Sequence, residues 1–197
     1  MKTKLAVLCS LIFCALAAAP RAAKAEVISA SAGKFKVEVT IDLPATPNEV
    51  YDAVTGDISP WWDHSFHQHP KKLFIEAKPG GGFWEIFDDS GDGVLHATVN
   101  YTERGKILRY TGPLGFSGIA AEFVTTYQFS PAGAGTHLKV TAVAAGDVDE
   151  KTAAIVDQVW HHFLYERLKP YIESGDYKKH IAATQDPHPS AITDTSH

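Results

Sequence analysis

The sequence predicts an α+β fold in which one long helix lies across a curved antiparallel sheet. Two observations predict it. Residues 34–43 alternate apolar and polar side chains, and further short apolar runs follow between tight turns, as in an antiparallel sheet. From Val148 to about Ser174 the apolar residues recur at i, i+3, i+4 and i+7, which indicates one amphipathic helix. One helix against one sheet makes a two-layer domain.

The first 25 residues are predicted to be a signal peptide that precedes this domain. Two lysines stand before an apolar run over residues 5–19, and small residues lead to an A-x-A pattern at 23–25, a cleavage signal. The run is too short to span a membrane, so we expect no stable membrane anchor and a periplasmic or secreted protein. Both cysteines, Cys9 and Cys14, lie in this segment, so the mature chain folds without disulfides.

The mature chain is acidic and rich in aromatic residues. Removal of the four basic residues of the signal leaves 14 basic against 23 acidic residues, a formal net charge of −9. No basic block remains, which argues against nucleic acid and anionic membranes as partners. All aromatic residues except Phe13 follow residue 25, and the direction in which they face decides between a filled core and a cavity.

Local signals place the elements in chain order. Residues 26–33 are predicted to be a linker before the first strand. Thr46 is a good N-cap and Pro47 suits the first position of a short helix. Residues 175–197 are expected to form a poorly ordered tail. Further strands are predicted at 73–77, 83–87, 94–103, 106–112, 121–130 and 136–146.

Five stretches carry a resemblance to a known family: ATPNEVYDAVT followed by WW, KPGGGFWEIF, ERGKILRYTG, TTYQFSPAGAGTHLKVT and VWHHFLYERLKPYIESG. Over residues 34–174 the chain resembles the START-like, or SRPBCC, helix-grip superfamily, and most resembles the branch named for the heat-shock ATPase activator. The resemblance implies about seven strands around the C-terminal helix, two short helices after the first strand and an apolar cavity. The superfamily includes lipid carriers and polyketide cyclases, so it predicts the fold better than the function.

Aromatic residues on the predicted inner faces are the candidate ligand-binding residues. Strand alternation turns three tyrosines inward, and buried hydroxyls need partners such as a ligand carbonyl. Residues 83–87 can face either way, so whether Glu85, or Glu122 further along, faces the cavity stays open. An inward carboxylate could act as an acid or base, but a surface position is commoner. The candidates are Trp61, Trp62, Phe66, Trp84, Tyr101, Tyr110, Phe123, Tyr127, Val156, Trp160 and Phe163.

Residues 61–70, WWDHSFHQHP, have the residue types of a zinc site without a standard spacing. His67 and His69 share a face of an extended chain, but His64 does not, and no second ligand pair follows at a standard spacing. We therefore predict no metal and no cofactor. The tryptophans and Phe66 are interpreted as the rim of a cavity, with plain core packing as the alternative.

The function predicted from these features is an exported small-molecule-binding protein that holds an apolar or aromatic ligand between sheet and helix. Two alternatives stay open. One is a cyclase- or hydrolase-type enzyme with acid–base residues in the same cavity, and the other is a structural or partner-binding domain with a filled core. No nucleophile–base pair stands at a characteristic spacing, so binding ranks above catalysis. The ligand and the oligomeric state are not specified.

Overall fold

The computed structural model describes residues 26–31 and 33–185. The predicted signal peptide and residues 186–197 of the predicted tail lie outside this part of the chain. The described residues form one antiparallel sheet and a set of helices, which confirms the α+β helix-grip class. The strands are β1 (Glu26–Ser31), β2 (Lys34–Leu43), β3 (Gly56–Asp57), β4 (Lys72–Ile75), β5 (Gly82–Ile86), β6 (Gly93–Glu103), β7 (Ile107–Gly112), β8 (Ala121–Ala132) and β9 (Gly135–Gly146).

These strands follow the order β1-β2-β9-β8-β7-β6-β5-β4-β3 across a single nine-stranded sheet. The apolar–polar alternation predicted for β2 matches the observed burial. Every second side chain from Phe35 to Leu43 is at most 3% exposed. β2, near the start of the described chain, pairs along its whole length with β9, the last strand. The helical elements are α1 (Pro47–Ala53), a 3-10 turn (Leu114–Phe116), α2 (Glu150–His161), a π-helical segment (His162–Leu168), α3 (Lys169–Ser174) and α4 (Asp176–Gln185).

The C-terminal helix is continuous from α2 through the π-helical segment to α3. Pro170 explains the change of helix type, because proline has no N–H and its ring clashes with the carbonyl four residues before it. The Lys169 N–H accordingly bonds to the Leu164 carbonyl, five residues back. Phe163 and Leu164 are 2% and 0% exposed, and at i+3 and i+4 from the buried Trp160 they continue the apolar face of α2.

Three details differ from the sequence prediction. The predicted linker contains β1, which pairs antiparallel with β2, and the two-residue β3 adds another strand at the far edge. The second of the two predicted short helices is reduced to one turn, in which the Trp62 N–H bonds to the Ile58 carbonyl at 2.9 Å. The predicted tail begins instead with α4, whose Tyr177 is only 3% exposed.

The start of α1 carries a capping box that predicts a pH-dependent contribution to stability. The Glu49 carboxylate accepts hydrogen bonds from the N–H and hydroxyl of Thr46 at 2.9 and 2.8 Å, and Lys178 of α4 lies 3.3 Å away. The Thr46 backbone N–H is the main reason that the pKa of Glu49 falls to about 2. A lowered folded-state pKa means that the stabilisation is complete above the ordinary value near 4.5 and is lost as the pH falls toward 2.

Glu49→Gln is therefore expected to lower the free energy of unfolding by about 0.3–1 kcal/mol at pH 7, the usual value of a carboxylate near a helix N-terminus. The difference from the wild type should shrink below pH 4.5 and vanish only once the pH is well below 2. Urea unfolding at several pH values measures it. An equal difference in unfolding free energy at every pH would show that the charge of Glu49 does not contribute to stability.

Candidate ligand cavity

A cavity of about 330 Å³ lies between the C-terminal helix and the inner face of the sheet. Its size is at the lower end of the roughly 300–1,000 Å³ typical of small-molecule sites. Most of its lining is apolar. Strands β5, β6 and β8, the helix and two connecting segments supply the lining residues, which are Trp62, His64, Ser65, Phe66, Phe83, His96, Leu114, Gly115, Phe116, Phe123, Ile155, Val156, Val159, Trp160 and Phe163.

Trp62 is the centre of the aromatic cluster in this lining. Its ring stacks on Phe163 with centroids 3.9 Å apart, and it meets Phe83 and Trp160 edge-on at 5.2 and 6.0 Å. The indole N–H donates to the His64 carbonyl at 2.9 Å. Because that bond satisfies the only polar atom of the indole, the ring gives the cavity a rigid and purely apolar wall.

The opposite rim consists of the 3-10 turn and the first half of α2. Phe116 stacks on Phe123 of β8, with centroids 5.1 Å apart. Leu114 has a φ of 52°, in the left-handed region that a leucine rarely occupies. Ile155 on α2 lines the cavity and yet is 52% exposed. The rim therefore presents apolar surface to solvent, as the mouth of an apolar site does.

Glu85 anchors the loop that forms the other side of the mouth. It is fully buried, and its carboxylate accepts hydrogen bonds from the backbone N–H groups of Phe66 and His67 at 3.0 and 2.7 Å. The imidazole Nε2 of His96 lies 2.9 Å from the same carboxylate. A buried carboxylate needs several such partners, and here they connect the loop to β5 and β6.

The orientation of Glu85 answers the question that alternation left open in residues 83–87. Phe83 and Glu85 face inward, so Trp84 faces the other side of the sheet, where its indole N–H donates to the Glu76 carboxylate at 3.2 Å. The prediction that Trp84 lines the cavity is therefore wrong. Glu122, the second carboxylate in question, is exposed.

Two irregularities in β6 overturn the prediction for Tyr101. The pairing with β5 shifts register opposite Phe83 and Trp84, and the pairing with β7 shifts between Val99 and Tyr101. Such bulges insert an extra residue and exchange the faces of the strand. As a result Tyr101 is 46% exposed, whereas His96, which simple alternation turns outward, is 5% exposed and lines the cavity.

Tyr110, Tyr127 and Trp61 are buried but lie outside the cavity lining. The hydroxyls of the two tyrosines lie 3.2 Å apart and bond to each other, and burial raises the pKa of both phenols. The Trp61 indole N–H donates to the Ala53 carbonyl at 2.9 Å. The polar atoms of these three side chains therefore have hydrogen-bond partners within the protein. Within the described residues, no tyrosine hydroxyl faces the cavity as the sequence predicted.

Six of the predicted residues do meet in the lining: Trp62, Phe66, Phe123, Val156, Trp160 and Phe163. Sequence reasoning missed His64, Ser65 and the 3-10 turn because loop residues have no periodicity from which a direction can be read. It also missed Val159, although its spacing from Val156 on α2 places the two residues on one face of the helix. That spacing is the signal that could have found it.

The model of the family described as Activator of Hsp90 ATPase homolog 1-like protein matches residues 44–173. The chain belongs to this family. The match spans the chain from α1 to α3 and confirms the resemblance to the START-like, or SRPBCC, superfamily. No curated protein sequence matches the chain.

Solved structures share the fold at low sequence identity. A conserved protein of unknown function, EF2215 from Enterococcus faecalis, is 14% identical with a TM-score of 0.56, covering 82% of this chain and 90% of its own. A Rhodobacter sphaeroides protein is 18% identical with a TM-score of 0.53, at 77% and 99% coverage. Ara h 8.0201 is 16% identical with a TM-score of 0.52, at 72% and 99% coverage. These likenesses establish the fold of this family member.

Within the described residues, no helix of this family member is long and apolar enough to cross a membrane.

Proposed function

We propose that this protein is an exported binding protein that holds one small apolar or aromatic molecule between the sheet and the C-terminal helix. The observation that carries the proposal is the apolar cavity of about 330 Å³ with the Trp62 ring cluster in its wall. Membership of the family supports a ligand-binding domain, since SRPBCC domains bind small hydrophobic ligands in general. Export rests on the predicted signal peptide over residues 1–25.

The lining favours a compact ligand with few polar atoms. Besides the Trp62 indole, whose N–H is already bonded, the lining side chains that carry a polar atom are His64 and Ser65 in the loop, His96 on β6 and Trp160 on α2. The Ser65 hydroxyl already donates to the His67 carbonyl at 2.7 Å. A ligand of one or two fused rings with few polar groups matches this distribution, because a polar atom placed away from these side chains would lose its water without gaining a partner.

One observation favours the alternative of an acid–base enzyme. His96 lines the cavity and forms an imidazole–carboxylate pair with Glu85, an arrangement that orients a general base. Both carboxylate oxygens of Glu85, however, also accept backbone N–H groups from the loop. We therefore assign to the pair an anchoring role. Turnover of a ligand by the wild type that His96→Gln abolishes, without loss of ligand affinity, would instead establish catalysis.

Filling the cavity tests the binding function. Val156→Phe adds a ring on a lining residue that is 5% exposed, and should weaken binding of the neutral fluorescent probe N-phenyl-1-naphthylamine at least ten-fold because it occupies the same space. The matched control is Val143→Phe on β9, where the side chain is 43% exposed and lies outside the lining. This variant should bind like the wild type.

Fluorescence titration gives the probe affinities, and urea unfolding confirms that both variants are folded at the titration temperature. A folded Val156→Phe variant with wild-type affinity would place the probe elsewhere and overturn the proposal. Equal weakening in Val143→Phe would do the same, since that substitution leaves the cavity unchanged.

A further inference from the structure

Three potential metal-ligating side chains from two distant segments meet beside the mouth of the cavity. Asp63 and His64 follow Trp62 in the loop, and His162 is the first residue of the π-helical segment, 99 positions after Asp63. One ligand atom from each of the three lies within 4.8 Å of the other two. The sequence separation is the reason that spacing within residues 61–70 gives no sign of this group.

The distances are already close to those of a coordinated ion. His162 Nε2 lies 3.0 and 2.9 Å from the two carboxylate oxygens of Asp63, and His64 Nδ1 lies 3.0 Å from Oδ1 of the same carboxylate. In a tetrahedral zinc site with bonds of roughly 2.0–2.1 Å, neighbouring donor atoms are about 3.3 Å apart. Only the two imidazoles have to approach each other, and His64, with a side chain 51% exposed, has room to turn.

Neighbouring groups hold two of the three ligands in place. Glu166 Oε2 lies 2.8 Å from His162 Nδ1, so Nδ1–H donates to Glu166. Nε2–H donates to the Asp63 carboxylate, and a bound metal ion would displace that proton. A carboxylate behind a histidine in this way fixes the tautomer of metal-binding imidazoles. Arg167 Nε lies 3.2 Å from Asp63 Oδ2, which orients the carboxylate and leaves Oδ1 beside His64.

We infer that Asp63, His64 and His162 form a binding site for a divalent transition-metal ion of the Zn²⁺ type. Two imidazoles and one carboxylate suit such ions, and three protein ligands leave one tetrahedral position for water or an added donor. His64 also lines the cavity, so the site adjoins the cavity. The positive charge of Arg167 opposes the metal, so we expect an affinity in the micromolar range.

The test is isothermal titration of the mature, chelator-treated protein with ZnCl₂, accompanied by the visible spectrum of the Co²⁺ complex. We expect one ion per chain and the intense absorption bands of four-coordinate cobalt. His64→Ala and His162→Ala should each weaken Zn²⁺ binding at least ten-fold. Glu166→Gln should weaken Zn²⁺ binding several-fold. The Gln side chain can still accept the hydrogen bond from His162 Nδ1–H, so this variant tests the effect of the Glu166 charge without losing the orientation of the imidazole.

His67→Ala and His69→Ala are the matched controls, because both residues belong to the same loop and lie outside the cluster. They should bind Zn²⁺ like the wild type. Equal weakening in all four histidine variants would indicate adventitious binding to surface imidazoles and would overturn the inference. So would the absence of Zn²⁺ binding, which would leave the cluster as ion pairs alone. Val156→Phe should retain the metal, so failure of the metal site and failure of the apolar site are distinguishable.

Discussion

Glu85→Ala is expected to lower the free energy of unfolding by about 3–5 kcal/mol, the usual result of removing one partner from a buried charged group. The substitution leaves the N–H groups of Phe66 and His67 and the imidazole of His96 without their acceptor. Of these donors only the His96 imidazole is buried, at 5% exposure, and a buried donor left unpaired costs about 1–3 kcal/mol. Urea unfolding at pH 7 measures the difference from the wild type.

The same variant should also loosen the loop over the cavity. Amide hydrogen exchange of Phe66 and His67 should become faster in Glu85→Ala than global unfolding alone explains, because the bonds that hold these amides are lost. Glu122→Ala, which removes an exposed carboxylate from β8, is the control and should change stability by less than about 0.5 kcal/mol. A loss below 1 kcal/mol in Glu85→Ala would contradict the anchoring role.

Trp62→Ala is expected to have the second large effect, a loss of about 3–5 kcal/mol, as for other large-to-small changes in a core. The indole is 9% exposed and contacts the rings of Trp61, Phe83, Trp160 and Phe163. The substitution also removes a wall of the cavity, so N-phenyl-1-naphthylamine should bind at least ten-fold more weakly. Thermal or urea unfolding and fluorescence titration provide the two readouts.

Trp84→Ala is the control that distinguishes the loss of a cavity wall from the general effect of removing an indole. Trp84 lies on the outer face of β5 and makes one side-chain hydrogen bond, to Glu76. We expect it to cost about 1 kcal/mol, as a typical point substitution does, and to leave probe affinity unchanged. Equal losses of affinity in the two tryptophan variants would show that Trp62 has no special place in the binding site.

Periodicity predicted the elements that bury one clear face. The alternation of β2 and the i, i+3, i+4 spacing of α2 each require one side to leave water, so these patterns also predicted that Val156, Trp160 and Phe163 face the sheet. The family resemblance added the cavity between the two layers, and the family match confirms that resemblance.

The errors have local physical causes. Alternation cannot detect a bulge, and two register shifts in β6 exchange the positions expected for His96 and Tyr101. Trp84 was misplaced because a strand of five residues with apolar groups on both sides has no preferred face by composition. Its direction is decided by Glu85, whose partners come from a loop 18 and 19 positions away.

The central claim is that an apolar molecule occupies the space between Trp62, Phe123 and Trp160. A crystal structure of the protein with N-phenyl-1-naphthylamine tests it most directly. We predict one naphthyl ring inside this cavity, in contact with the Trp62 and Phe163 rings, and the Glu85 bonds to the loop intact. A probe bound only on the outer face of the sheet, with the lining side chains closed together in the space it should fill, would contradict the claim.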